Sequence, residues 1–141
     1  MKRMLLFLLT AVLLLSGCNE KNVAYSVYHN VLSDMTILVV NEQVTTKTDI
    51  LHLEFRNNTA EEILYSDEAI LLEKKEGDGF VTVGSYGNGH EITVGLEAGR
   101  VNPLSLSITP LEPGTYRLIF LQGYSTPEGP VYMSAEFTVN E

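Results

Sequence analysis

Apolar residues along the chain fall into two regimes. Met4–Leu15 is an unbroken apolar run apart from Thr10, preceded by Lys2 and Arg3. It is too short for a spanning helix, which needs about 20 residues, and it has the basic and apolar regions of a secretory signal. From Met35 onward the period changes to two. Leu51, Leu53 and Phe55 alternate with His52 and Glu54, and Leu104, Leu106 and Ile108 alternate with Ser105 and Ser107. Such alternation marks half-buried strands. Further strands are predicted over 35–40, 62–65, 69–75, 80–83, 115–121 and 131–139, with 92–94 a candidate short strand, Glu76-Gly77-Asp78-Gly79 a hairpin turn and 84–90 a loop. Outside the apolar run nothing repeats at 3.6 residues. The pattern predicts an all-β fold, an antiparallel sandwich of seven or eight strands.

The apolar run ends in Leu15-Ser16-Gly17-Cys18. This resembles the bacterial lipobox: an aliphatic residue, a small residue, Gly or Ala, then Cys. The resemblance implies cleavage before Cys18 and attachment of a diacylglyceryl group to its thiol. Two acyl chains give stable anchoring where one gives only marginal binding. The alternative is an ordinary secretory signal with an incidental cysteine. Cys18 is the sole cysteine, and a lone thiol cannot form an internal disulfide. Three segments follow: a signal peptide over 1–17, a lipidated cysteine and tether over 18–33, and one domain over 34–141.

A second resemblance rests on Asn57-Asn58-Thr59 at a strand end, the strand Ile70-Leu71-Leu72-Glu73-Lys74-Lys75, Gly79-Phe80, and above all Leu111-Glu112-Pro113-Gly114-Thr115-Tyr116-Arg117-Leu118. Together they are similar to the bacterial immunoglobulin-like domain at the ends of lipoproteins of Gram-positive bacteria, over about residues 35–139. Members often carry Trp where this chain has Phe80. The resemblance implies an Ig-like β-sandwich and little about activity, since fold does not give function. In Ig-like domains a tyrosine near the start of the sixth strand turns its hydroxyl back to the preceding corner. Tyr116 stands there, as a corner tyrosine or simply as a core aromatic.

Charge narrows the partners. The net charge is −9, and removal of Lys2 and Arg3 with the signal makes it more negative by two units. A nucleic-acid partner needs a basic face, and polybasic help in membrane binding is equally unexpected. The anchor is therefore the diacylglyceryl-cysteine, on the extracytoplasmic side of the cell membrane.

Catalytic chemistry is sparse. Gly123-Tyr124-Ser125-Thr126-Pro127 falls one residue short of a nucleophile elbow and lies in a hairpin loop. Gly84–Gly89 lacks the Lys-Ser or Lys-Thr of a phosphate loop. His29, His52 and His90 are scattered, with no pair at metal-ligand spacing. Glu61-Glu62, Asp67-Glu68 and Asp78 carry oxygen ligands suited to Ca²⁺ but match no EF-hand loop, and read as solvated acids. Neither cofactor nor metal is expected. The reading is a non-enzymatic module that binds an envelope ligand or serves a structural role. Tyr86, Tyr124 and Tyr132, in or beside loops, are candidate aromatic contacts or mere covers of strand edges. An alternative is a proteinase inhibitor, from a fainter resemblance to a small Ig-like inhibitor family of bacilli whose Trp-containing segment is missing here.

The up-and-down strand order also sets an expected orientation. A flexible tether of about fifteen residues, roughly 20 Å as a coil, enters where the first strand begins. This places Tyr124 near the membrane and Glu76–Gly79 away from it.

Overall fold

The computed structural model describes residues 24–26, 28, 35–66, 70–87, 93–120, 125–126, 129–130 and 132–141. Every regular element among them is a strand: β1 (Met35–Val39), β2 (Val44–Thr45), β3 (Ile50–Asn57), β4 (Ile63–Ser66), β5 (Ile70–Glu76), β6 (Gly79–Tyr86), β7 (Thr93–Leu96), β8 (Val101–Ser107), β9 (Gly114–Phe120), β10 (Ser125–Thr126), β11 (Gly129–Pro130) and β12 (Met133–Asn140). Twelve strand segments among the described residues replace the seven or eight expected. The additions are short: β2, β10 and β11 have two residues each, too few for alternation to register. Nor does 84–90 begin as a loop, because β6 continues through Tyr86.

Two sheets carry the fold. One is three-stranded in the order β1-β3-β8. The other is five-stranded in the order β2-β12-β9-β5-β6, antiparallel except for the parallel β2–β12 pair. Two small pairs, β4-β7 and β10-β11, stand beside them.

The predicted alternation decides what is buried. Leu51, Leu53 and Phe55 face a common core with Leu72, Tyr116, Leu118, Phe120, Ala135 and Phe137. Where the sheets meet, the Phe55 and Phe120 rings pack edge to face at 5.0 Å, and Tyr65 stacks on Phe55 at 4.7 Å. Such pairs contribute about 0.5–1.5 kcal/mol beyond their buried area.

Turn chemistry follows the glycines. In the β5–β6 hairpin Gly77 has φ +59° while Asp78 stays negative, the signature of a two-residue turn with Gly at its first central position. In the β7–β8 connection Gly99 (φ +67°) closes the turn in which the Arg100 N–H donates to the Glu97 carbonyl, 3.1 Å. Glycine carries no steric cost in this left-handed region.

One buried side chain ties the small pair to the rest. Asn57, at the end of β3, is 1% exposed. Its amide donates to the carbonyls of Leu96 (2.8 Å) and Glu61 (2.7 Å), and its Oδ1 accepts from the Thr59 N–H (2.8 Å). The Asn-Asn-Thr turn signal is thus also a buried clamp. Asn57→Leu would leave the Leu96 carbonyl without this donor and the Thr59 N–H without its acceptor, while the Glu61 carbonyl keeps the Thr59 hydroxyl at 2.9 Å, and buried unsatisfied groups cost about 1–3 kcal/mol each. A loss of about 2 kcal/mol is expected by urea denaturation, and an unchanged midpoint would show that water replaces the amide.

Candidate functional site

The most organised polar site lies on the outer face of the five-stranded sheet, away from the core. Thr82, Glu73, Arg117 and Glu136 form one cross-strand row over β6, β5, β9 and β12. Glu73 is fully buried and Arg117 is 8% exposed. Arg117 Nε donates to Glu73 Oε2 at 2.6 Å. The guanidinium lies over the Phe80 ring, 4.1 Å from its centroid.

What buries them is the segment preceding the domain. Arg117 Nη2 donates to Ser26 Oγ (3.2 Å) and to the Tyr28 carbonyl (2.9 Å). The Ser26 N–H donates to the Phe80 carbonyl at 2.7 Å. Tyr25 packs on Gly79, where a Cβ would run into its ring. The Tyr28 ring meets Tyr132 edge to face at 4.7 Å. The stretch read as a free tether over 18–33 is, in its described part, a strap bonded to the sheet. The cause is the fixed fork of arginine, which binds a carboxylate with one arm and leaves donors for the strap with the other.

A β-bulge makes this face possible. The β5–β6 register steps from Leu72↔Gly84 to Glu73↔Thr82, leaving Val83 unpaired in the ladder. One extra residue reverses which side chains face which side. Tyr86 therefore packs on the core, while Phe80 and Thr82 face the strap.

A second cluster sits at the corner before β9. The Tyr116 hydroxyl donates to the Glu112 carbonyl at 3.0 Å, and its ring stacks on Phe137. Lys74 Nζ donates to Glu112 Oε2 at 3.1 Å and lies 5.6 Å from the centre of the Tyr116 ring. That hydrogen bond holds the Lys74 ammonium above the usual lysine pKa. Tyr116→Phe should cost about 1 kcal/mol, the net worth of one such bond, read as a lower urea midpoint at constant slope. No shift would mean that the hydroxyl contributes nothing there.

The other sequence candidates scatter. Tyr86 is half-buried and lines two adjoining clefts between β6 and the β8 side of the molecule, about 360 and 410 Å³. Tyr132, directly before β12, meets the Tyr28 ring edge to face. Cys18, Tyr124, His29, His90, Asp67 and Glu68 lie outside the described residues. His52 is exposed, with Nδ1 3.2 Å from Ser105 Oγ. Among the described residues no group of three or more His, Cys, Asp or Glu side chains is placed to hold a metal ion. Sequence reading missed the Glu73–Arg117 pair. Its signal was slight: Arg117 is the one charged residue of the apolar strand β9, while Glu73 opens the charged run Glu73-Lys74-Lys75-Glu76 of β5.

Comparison with known proteins decides the first segment. Residues 1–19 match the prokaryotic membrane lipoprotein lipid attachment site. The chain carries a lipoprotein's anchor. No curated protein sequence matches the chain as a relative. Among solved structures, the chain is similar to β-glucosidase from Kluyveromyces marxianus in complex with glucose, with 14% identity over 76% of this chain and 14% of that one and a TM-score of 0.37. It is also similar to β-glucosidase from Listeria innocua, with 14% identity over 89% of this chain and 20% of that one and a TM-score of 0.35. The chain thus spans a seventh to a fifth of the enzymes' lengths.

Proposed function

We propose that the protein is an extracytoplasmic lipoprotein, anchored through Cys18, that presents a non-enzymatic Ig-like β-sandwich as a binding or structural module. The observation that carries this reading is the lipid attachment site at residues 1–19 in front of an all-β domain. Strand order supports the Ig-like assignment. In an Ig sandwich the first, second and fifth strands share one sheet, and the third, sixth and seventh share the other. Here β1-β3-β8 face β2-β12-β9-β5-β6, which fits that arrangement with two added edge strands, β2 and β6, and without the Ig fourth strand in the smaller sheet. Tyr116, bonded to the corner it follows, supports it further. As a binding module the domain acts by surface complementarity, and the lipid confines it to the membrane plane, where even weak contacts are made at high local concentration.

Photo-cross-linking tests the reading. A cross-linker at Ser85 on the cleft rim, or at Leu64 on the β4–β7 pair, goes into the full-length lipidated protein in its own envelope. A recurring adduct to one extracytoplasmic component is expected from at least one position. Adducts to lipid alone, or turnover of a substrate by the purified protein, would overturn the proposal.

A further inference from the structure

The course of the strap fixes which end of the domain the anchor leaves from. Tyr25 lies on Gly79, at the turn between β5 and β6. Ser26 bonds to Phe80, one residue further along β6. Tyr28 reaches Tyr132, which precedes Met133, and Met133 pairs with Phe120 at the other end of the sheet. The strap therefore climbs from the hairpin pole toward the pole where β1 begins. The chain before Tyr25 departs from the hairpin pole.

Six residues lie between Cys18 and Tyr25, making seven Cα-to-Cα steps. Fully extended they reach about 25 Å, and as a flexible coil about 15 Å. The strands of the sheet are themselves about 25 Å long at some 3.3 Å per residue. The hairpin pole can rest near the lipid surface within this reach, whereas the opposite pole would have to turn the whole domain over on a chain that is already bonded down.

We propose that the Glu76–Gly79 pole faces the bilayer that holds Cys18, and that the Tyr25–Tyr28 strap fixes this orientation. It rests on the reading of Cys18 as the lipidated residue. It reverses the expectation from strand count, which let the tether enter at the β1 pole. The surface turned outward is then the β1 pole, with the Glu97–Arg100 turn, the β4–β7 pair and the β10–β11 pair. A partner recruited from outside the membrane meets those elements first.

The test uses the full-length lipidated protein in phosphatidylethanolamine–phosphatidylglycerol vesicles, with energy transfer from a dye on a single cysteine to acceptors on the lipid headgroups. Asp78→Cys marks the hairpin and Ala98→Cys the opposite turn, and both native side chains are exposed. Transfer is expected to be several-fold stronger from position 78. In a Tyr25→Ala/Ser26→Pro background, which removes the ring contact and the donated N–H, the difference should shrink while the circular dichroism of the domain is unchanged. Equal or reversed transfer with the strap intact, or a difference that survives its loosening, would overturn the proposal. Protein that fails to float with the vesicles would instead refute lipidation at Cys18, and the orientation would fall with it.

Discussion

Glu73→Leu should destabilise the domain by about 3–5 kcal/mol, because it leaves Arg117 charged and nearly buried without its counter-ion. The remaining hydrogen-bond partners of Arg117 are a hydroxyl and a carbonyl on the strap, and its other contact is the Phe80 ring; none of these carries a neutralising charge. Domains of this size have total stabilities of about 5–15 kcal/mol, so the loss is a large fraction. The double variant Glu73→Leu/Arg117→Met should recover most of it, since a well-packed apolar pair replaces a buried ion pair at little or no net cost. The measurement is the urea midpoint of the three proteins. The single variant should fall well below wild type and the double should return toward it. A single variant at the wild-type midpoint would mean that water reaches the pair. A double variant as weak as the single would mean that the strap contacts of Arg117, rather than charge balance, stabilise this face.

Cys18→Ser should convert a membrane protein into one that is unprocessed or released. A serine at this position cannot form the thioether, so both acyl chains are lost. At about 0.8 kcal/mol per buried CH2, each chain contributes on the order of 10 kcal/mol of membrane affinity. No other described feature replaces it, for the net charge is −9 and no helix among the described residues is long and apolar enough to cross a membrane. Detergent phase partitioning reads the change as transfer from the detergent phase to the aqueous phase. Intact-mass analysis of the native protein should show the diacylglyceryl addition on Cys18. An unmodified thiol would sink the anchoring reading.

What the sequence made legible was whatever depends on local period. Leu51, Leu53 and Phe55 alternate without interruption, and all three are buried. The lipobox is contiguous and needs no fold to be recognised. The Glu76–Gly79 turn carries glycine where a positive φ is required. What escaped depends on distant residues meeting. Glu73 and Arg117 are 44 positions apart, and their burial depends on a strap 91 positions from Arg117. No window of sequence holds all three. The bulge at Val83 was hidden for another reason. The strand predicted over 80–83 stopped at the bulge itself and 84–90 was read as a loop, so nothing in the pattern showed that Phe80 and Thr82 face one side of β6 while Gly84 and Tyr86 face the other. Tyr86 and Tyr132 looked like loop aromatics, but one lies against the core and the other against the strap.

The position of β12 governs how the chain can acquire its shape. This last strand lies inside the larger sheet, with β9 on one side and β2 on the other. Val139 and Asn140 pair with Val44 and Thr45, joining nearly the two ends of the domain. The sheet thus cannot close while the chain is still being threaded from its N-terminus. Contacts of such long sequence separation slow folding, because loop-closure entropy is lost before any pairing compensates it. Removing even the final few residues would take away the seam between β2 and β12, so a prematurely terminated chain is left with an open sheet edge and is a natural target for proteolysis.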